Sequence, residues 1–355
     1  MSYNLFSDLK VIDISTVLAG PSVGMFFAEL GAEVIKIEHP INKDVTRSWK
    51  SSTESIDSIS SYFSSINFKK KYLPLDLLIE DDYNQFIELI KNADILISNF
   101  KRVDYEKFKI SNEFLDKINP NLIQGRITGY GNDSDRVAYD LILQAETGFM
   151  SINGTKESGP IKMPVALIDV LAAHQLKEGI LLALYERFKT GKGKLVSVSL
   201  YQAAVSSLVN QASSYLMNGI VPERIGSLHP SIAPYGEIFK TKDNRHLTFA
   251  IGSNHQFIKL MHYLNLDELI EDERFVNNQN RVKNRALLFN LMEGKLKFLS
   301  SFEIEKFSIN NNIPCGIIKT LDEVFENQNA KDLIRSEVIE GVETHRVSSI
   351  AFKFN

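Results

Sequence analysis

The sequence predicts an α/β protein built on a parallel sheet, and two observations carry that prediction. Apolar runs of strand length alternate with amphipathic helical segments over about the first 200 residues, an alternation typical of layered α/β folds. The first three elements form a βαβ unit, in which strands 10–15 and 34–38 flank a helix that ends near Leu30. Ligands of such folds bind at the carboxyl ends of the strands.

The ends of that first helix carry residues that favour those positions. Pro21 fits the first helical turn, where its missing N–H is not needed, and Gly31 fits a C-terminal cap. The turn before the helix contains one glycine, Gly20, and lacks the G-x-G-x-x-G pattern that binds dinucleotide phosphates. The unit therefore does not predict a nicotinamide dinucleotide site.

The other elements of this half are predicted from the same pattern of apolar runs bounded by turn-forming residues. We expect helices at 81–92 and 170–189. We expect strands at 95–98, 122–128 and 195–200. Gly191 is expected to end the second of these helices as its C-terminal cap.

Asp169 follows the apolar run Val165–Ile168 and directly precedes a helix, so it is predicted to be the N-cap. Two interpretations follow from that position. In the first, the carboxylate only caps the helix. In the second, the helix N-terminus keeps a functional carboxylate ionised and points it into a cleft. Asp140 is a second carboxylate at a predicted helix start, and it has the same ambiguity.

The composition is that of an ordinary globular protein, with 44% hydrophobic and 24% charged residues. Its 355 residues predict two domains, or one large domain with an appendage. The net charge of -4 gives no reason to expect nucleic acid or a membrane as a partner. Cys315 is the single cysteine, which predicts neither a disulfide framework nor a thiolate metal site. The sequence has no signal-like apolar segment, so a cytoplasmic protein is expected.

The pattern changes near Tyr201. The segments 236–240 and 246–251 flank a polar turn and predict a β-hairpin. Helical stretches follow, so the second half is predicted to be a smaller α+β domain. The end of the chain, from Val338 to Phe354, is predicted to be a return strand.

Several short motifs gain meaning when they are taken together along the chain. They are Val17–Pro21, Leu30–Glu38, Ala93–Phe100, Tyr139-Asp140 with Gln144-Ala145, Asp169, Ala183–Arg187 with Thr190–Gly193, and Ile313–Gly316. In that order and spacing they resemble the family III CoA-transferases, a group that includes formyl-CoA and carnitine CoA-transferases and the α-methylacyl-CoA racemases. The resemblance covers nearly the whole chain.

The resemblance implies a homodimer of two interlocked ring-like chains. Each chain would have a large Rossmann-like domain with a parallel sheet and a smaller α+β domain. On this sequence the large domain takes residues 1–200, a linker 201–225, the small domain 226–332 and a return linker 333–355.

The resemblance also assigns chemical roles. Asp169 matches the aspartate nucleophile of the family, which attacks an acyl-CoA thioester to form a mixed anhydride and then an aspartyl-CoA thioester. Asp140 matches an acidic position near the site, and a positioning or electrostatic role and a structural cap both stay open for it. CoA and acyl-CoA enter as substrates, and neither a metal nor a permanently bound cofactor is implied.

Ten residues are implied to bind CoA, through loop backbone, through the nucleotide side or through positive charge. They are Val17, Leu18, Ala19, His39, Asn99, Phe100, Lys101, Arg102, Arg136 and Tyr139. Lys70 or Lys71 is an alternative source of positive charge for the phosphates.

Two alternatives to CoA transfer stay open. A racemase would need a histidine paired with an aspartate, but Tyr139 stands where that branch has its histidine, and His174 is a candidate replacement. An inactive CoA-binding protein would bind CoA without exchange. For a transferase, the loop Leu228–Tyr235 resembles that of members using small dicarboxylates, which gives the hypothesis of a succinyl-CoA-type donor and a carboxylic acid acceptor.

Overall fold

The computed structural model describes residues 4–353, which form two compact units. The first takes the described residues of Met1–Met150, Lys162–Val221 and Gln328–Asn355, and the second takes Ser151–Ile161 and Pro222–Asn327. Residues 201–221 therefore pack with the first unit, and residues 151–161 pack with the second. The linker roles of 201–225 and 333–355 stay predictions, and residues 1–3 and 354–355 lie outside the described part of the chain.

A parallel sheet forms the centre of the first unit. Its strands are β1 (Lys10–Asp13), β2 (Glu33–Glu38), β3 (Lys71–Pro74), β4 (Ile95–Ser98), β5 (Ile123–Thr128) and β6 (Leu195–Ser199). Their order is β3-β2-β1-β4-β5-β6, with every neighbouring pair parallel. The predicted α/β fold is confirmed. The strand order reverses between β1 and β4, and such a point leaves a crevice at the carboxyl ends of the strands.

Helices cover both faces of this sheet because its strand residues alternate between two cores. Val11 and Ile97 belong to one cluster, and Ile12 and Leu96 belong to the other. The helices up to residue 221 are α1 (Ala19–Glu29), α2 (Ser61–Ser64), α3 (Glu80–Lys91), α4 (Arg102–Lys107), α5 (Asn112–Ile118), α6 (Asp140–Glu146), α7 (Phe149–Ile152), α8 (Leu167–Thr190), α9 (Leu200–Ser206) and α10 (Val209–Asn218).

Three glycines in this unit occupy positions that a residue with a side chain would not fit easily. Gly31 follows α1 with φ +102°, and Gly191 ends α8 with φ +68°, as predicted for helix C-termini. A Cβ on Gly20 would lie 2.4 Å from the Cβ of Ser15. The first turn of α1 therefore approaches the end of β1 more closely than a residue with a side chain allows.

The second unit has its own antiparallel sheet and its own core. Its elements are β7 (Tyr235–Lys240), β8 (His246–Ala250), α11 (Asn254–Leu264), α12 (Asn278–Lys283), α13 (Arg285–Leu296), α14 (Ser301–Asn311), β9 (Cys315–Ile317) and α15 (Leu321–Val324). The strand order is β7-β8-β9. The predicted hairpin is thus β7–β8, and its buried residues Phe239 and Phe249 share one core with helix residues such as Phe257 of α11.

The last described elements return to the first unit. They are α16 (Gln328–Lys331), β10 (Ile334–Ile339) and β11 (Val342–Val347), and the two strands pair antiparallel. The predicted single strand from Val338 to Phe354 is therefore wrong, and Phe354 lies outside the described residues. Glu340 and Gly341 both have positive φ, the backbone that tight hairpin turns require. Within residues 4–353, no helix has the length and apolarity to cross a membrane.

Candidate active site

A cavity of about 320 Å³ opens at the carboxyl ends of β1, β4 and β5. It lies where the strand order reverses, the place at which open parallel sheets bind ligands. Ten of the twelve residues predicted for the site line it. They are Val17, Leu18, Ala19, Asn99, Phe100, Lys101, Arg102, Arg136, Tyr139 and Asp169.

Asp169 is the third residue of α8, which begins at Leu167, so the predicted N-cap position is wrong. The N-cap residue is Ala166, whose side chain makes no capping hydrogen bond. Asp140 supplies the missing acceptor: its Oδ1 accepts the backbone N–H of Ile168 at 2.8 Å. A carboxylate from α6 therefore caps α8, and Asp169 does not have to do so.

The electrostatics of Asp169 also differ from the expectation. Burial, and then the neighbouring Asp140 carboxylate, raise the pKa of Asp169 to about 7. A position at a helix N-terminus alone would favour the ionised carboxylate. With only 7% of the residue exposed, loss of hydration of the anion outweighs that effect. Asp169 is therefore a basic carboxylate that still ionises near neutral pH.

Asp140 also holds the segment that leads into α8. Its Oδ2 accepts the side-chain amide of Gln144 at 2.7 Å. Gln144 in turn accepts the Met163 N–H at 2.8 Å and donates to the Met163 carbonyl at 3.3 Å. Asp140 thus fixes the start of α8 directly and the loop before it through Gln144. Asp140 itself does not line the cavity.

The cation-rich wall of the cavity comes from the segments that follow β4 and β5. Lys101 and Arg102 lie at the start of α4, and Arg102 pairs with Asp135 at 3.2 Å. Arg136 pairs with Glu146 and lies over the ring of Tyr130. These cations are exposed, so anionic groups of a ligand can reach them.

Two residues of this region are not among those predicted from the sequence. Arg126 of β5 lines the cavity, and its guanidinium lies 3.8 Å above the ring of Tyr105. Its signal was a lone charge inside an apolar strand. Tyr62 of α2 lies near the carboxylates, since burial and then Asp169 and Asp140 raise its pKa to about 12. It follows a polar loop with no periodic pattern, so no sequence signal marked it.

His39, one of the residues predicted to bind CoA, lies away from the cavity. The Nδ1 of His39 accepts the N–H groups of Ile41 and Asn42, and its Nε2 lies 3.4 Å from Asp76. His39 is therefore part of a local turn and does not line the cavity.

Lys70 cannot supply charge to a ligand phosphate, contrary to the expectation. Its buried Nζ binds Asp13, the carbonyl of Pro21 and Asn67, each at 2.8 Å. Lys71 instead pairs with Glu33 at the surface.

Two further polar residues, His174 and Cys315, take no part in this cavity. His174 lies on the exposed side of α8 and does not line the cavity. Cys315 is partly buried in the second unit, and burial raises the pKa of its thiol to about 11, so it is not a reactive thiolate. In the described range 4–353, no cluster of three or more His, Cys, Asp or Glu side chains could hold a metal ion.

Comparison with known proteins gives a consistent match along the chain. The model of the CoA-transferase family III matches residues 6–355. A succinate–glutarate CoA-transferase of Agrobacterium fabrum is 32% identical over 326 residues, covering 90% of this chain and 81% of the relative. An acetyl-CoA:oxalate CoA-transferase of Acetobacter aceti is 34% identical, covering 82% of this chain and 75% of that protein.

The fold is also found among solved structures. The crystal structure of a CAIB/BAIF family protein from Brucella suis superposes with a TM-score of 0.85. The two sequences are 33% identical, and the match covers 100% of this chain and 93% of the other.

Proposed function

The chain belongs to family III of the CoA-transferases, and we propose that it transfers CoA through covalent intermediates on Asp169. As a member of that family it moves CoA from an acyl-CoA thioester to a carboxylic acid. The observation that carries the proposal is a buried carboxylate, with a pKa near 7, in the wall of the cavity at the sheet's switch point.

The first half-reaction unloads the donor. The Asp169 carboxylate attacks the thioester carbonyl of the donor, the C–S bond breaks, and the CoA thiolate departs. A mixed anhydride between Asp169 and the donor acyl group is then left on the protein. The thiolate then attacks the carbonyl carbon of Asp169 in that anhydride. The donor acid departs as a carboxylate, and Asp169 carries CoA as a thioester.

The second half-reaction runs the same chemistry in reverse. The acceptor carboxylate attacks the thioester carbon of Asp169, and the thiolate leaves again. The thiolate then attacks the acceptor's carbonyl carbon in the new anhydride, which releases the product acyl-CoA and restores the Asp169 carboxylate. No net proton or electron is gained or lost, so the proposal needs no acid, base or redox cofactor.

The raised pKa of Asp169 favours this role in two ways. A more basic carboxylate is a better nucleophile once it is ionised, and at neutral pH a substantial fraction is ionised. Asp169 also lies in the first turn of α8, and the free backbone N–H groups of a helix N-terminus stabilise negative charge that develops near them. Asp140 acts as a positioning residue, because it fixes the first turn of α8.

CoA itself is the substrate whose binding the cavity wall would serve. The exposed side chains of Lys101, Arg102 and Arg136 offer charge to its phosphates. The turn 17–19 and the pair Asn99-Phe100 line the same cavity. Since His39 lies outside this cavity, its predicted role in CoA binding requires a ligand that extends beyond the cavity.

For the donor, we propose succinyl-CoA or a related dicarboxylyl-CoA. Two relatives named for succinate or succinyl-CoA and glutarate are 32% and 34% identical to this chain, but a relative named for acetyl-CoA and oxalate is 34% identical as well. The donor must therefore be measured. The acceptor is proposed only as a carboxylic acid.

The test is the intact mass of the protein after incubation with a panel of acyl-CoAs that includes succinyl-CoA. We expect a CoA adduct on the wild type that hydroxylamine removes, with the peptide modified at Asp169. Asp169→Asn should form no adduct, whereas Glu178→Gln, an exposed carboxylate change on the same helix, should form it normally. No adduct with any donor would overturn the proposal.

The racemase alternative finds little support in the geometry. It needs a histidine beside the carboxylates, but Tyr139 occupies the predicted position and His174 lies outside the cavity. Loss of the α-proton of a 2-methylacyl-CoA in D₂O, without formation of an adduct, would instead support the racemase. CoA binding without adduct or exchange would instead indicate an inactive binding protein.

We also propose that two chains form the interlocked homodimer. Support comes from large apolar side chains that the single chain leaves exposed: Phe188 is 91% exposed on α8, and Leu216 and Met217 are similarly open on α10. Phe188→Asp should shift the mass measured by light scattering from dimer towards monomer, while Phe188→Leu should not. If the wild type itself has the mass of a single chain, the dimer is refuted.

A further inference from the structure

The turn that follows β1 contains a residue in an unfavourable backbone conformation. Val17 has φ +73°, a left-handed conformation that β-branched residues rarely adopt. The turn lies directly between β1 and α1, and Val17, Leu18 and Ala19 all line the cavity. Strain of this kind persists only where surrounding contacts enforce it.

Three side chains from other parts of the first unit hold three consecutive residues of this turn. Lys36 of β2 donates to the Ser15 carbonyl at 2.7 Å. Asn99, after β4, accepts the Thr16 N–H at 3.0 Å and donates to the Thr16 carbonyl at 2.8 Å.

Asp44 provides the third contact, and it acts on the strained residue itself. Its two oxygens lie 3.4 and 3.3 Å from the Val17 nitrogen and accept its N–H. The carboxylate is also 3.1 Å from the Lys36 ammonium, and both side chains are fully buried.

Stability alone does not explain why the fold contains the buried Lys36–Asp44 ion pair. A buried ion pair gains little over a well-packed apolar pair, because both ions lose their hydration. What an apolar pair could not do is bind the backbone of the turn from two sides. Lys36 takes the Ser15 carbonyl and Asp44 takes the Val17 N–H, so the pair imposes the turn's conformation.

We propose that Asp44, neutralised by Lys36, is a positioning residue that holds Val17 in its strained conformation and so shapes the acyl-CoA-binding turn. Asp44 does not line the cavity and acts through the backbone of Val17. The inference rests on the proposed binding of CoA at this cavity. It does not depend on Asp169 being the nucleophile.

A second role of Asp44 has to be separated from this one. Its Oδ1 also accepts the N–H of Thr46 at 3.0 Å and the Thr46 hydroxyl at 2.7 Å, which caps the short turn Val45–Arg47. Asp44→Asn keeps Oδ1 for Thr46 and for the longer 3.4 Å contact with the Val17 N–H, but it replaces Oδ2 by an NH₂ group that faces two donors, Lys36 and the Val17 N–H. Thr46→Ala does the converse, because it weakens the cap and leaves the contact with Val17.

The experiment measures the dissociation constant of CoA itself by calorimetry. We expect Asp44→Asn to raise it by roughly tenfold, because the turn loses what offsets its strain. Thr46→Ala should stay within about twofold of the wild type. Glycine adopts positive φ without strain, so Asp44→Asn in a Val17→Gly background should raise the constant less than about threefold relative to Val17→Gly alone.

The rescue by glycine is the readout that a merely structural role would not produce. If Asp44→Asn alone fails to fold, a folded Val17→Gly/Asp44→Asn protein with the CoA affinity of Val17→Gly supports the proposal. The proposal is overturned by unchanged CoA binding in Asp44→Asn, by an equal loss in Thr46→Ala, or by no rescue. A wild type that does not bind CoA would overturn the proposed cavity function as well, whereas a missing Asp169 adduct would leave this result intact.

Discussion

Replacing Asp169 by asparagine should make the protein more stable at neutral and alkaline pH, although it removes the proposed nucleophile. The pKa of Asp169 rises from 3.8 to about 7 on folding, chiefly because the carboxylate is buried. A folded-state pKa above the unfolded one means that the native state holds its proton more tightly. Stability is then highest below the unfolded pKa, and it falls as pH rises from about 4 to about 7.

The size of this penalty follows from the shift. About three pKa units at 1.36 kcal/mol each correspond to a penalty on the order of 4 kcal/mol above pH 7. At pH 5 only about a third of it has developed. The gain in unfolding free energy of Asp169→Asn over the wild type should therefore be roughly 2–3 kcal/mol larger at pH 8 than at pH 5.

The assay is urea unfolding of both proteins at the two pH values. The difference in unfolding free energy between Asp169→Asn and the wild type is compared between the two pH values. The effect of asparagine on packing is the same at both values and therefore cancels. Asp243→Asn is the matched control, because hydrogen bonds from Ser301 and Thr241 hold the pKa of Asp243 below its usual range. The loss of unfolding free energy in Asp243→Asn should be equal at pH 5 and pH 8, and it should become smaller only in more acidic solution. A difference for Asp169→Asn that does not vary with pH would refute the reasoning.

Three more changes test the surrounding groups. Asp140→Asn removes a negative charge that raises the pKa of Asp169, so the acidic limb of kcat/KM should move to lower pH in initial-rate profiles. Arg102→Ala should raise the dissociation constant of CoA about fivefold at low ionic strength and less at high salt, as titrations would measure. Lys70→Met leaves Asp13 buried without its cation, and denaturant titration should show a loss of about 3–5 kcal/mol.

Each of these changes has an outcome that would count against it. Glu178→Gln should leave the acidic limb where it is, and a shift as large as that of Asp140→Asn would point to a general charge effect. A salt-independent loss for Arg102→Ala would argue against contact with phosphate. Unchanged stability of Lys70→Met would mean that the buried pair with Asp13 contributes nothing.

The sheet could be predicted because its signals are local. β4 is an apolar run bounded by polar residues, and its predicted bounds 95–98 are those of the structure. The start of α8 could not be predicted in the same way. Its cap comes from Asp140, which is far from Ile168 in sequence, and periodicity carries no information about such a contact.

The cavity shows the same division between local and distant contacts. The turn 17–19 and the pair Asn99-Phe100 line it, and these are positions that the family resemblance implied for CoA binding. Lys70 resembled a solvent-exposed cation in sequence, but it is buried and pairs with Asp13 of β1, which is far from it in sequence. Tyr62 and Arg126 reach the site through tertiary packing, and the sequence contained a weak signal for Arg126 and none for Tyr62.

The two aspartates divide between them tasks that conflict on one side chain. A carboxylate that caps a helix accepts N–H bonds, which favour its anion and lower its basicity. A carboxylate nucleophile benefits from the opposite condition. Because Asp140 accepts the Ile168 N–H, Asp169 lies in the first turn of α8 without serving as its cap, and burial keeps its anion unfavourable. In both proposed intermediates the Asp169 carboxyl group is uncharged, so attack on the thioester relieves part of that penalty. The stability that the fold loses at Asp169 thereby lowers the barrier to forming the covalent intermediate.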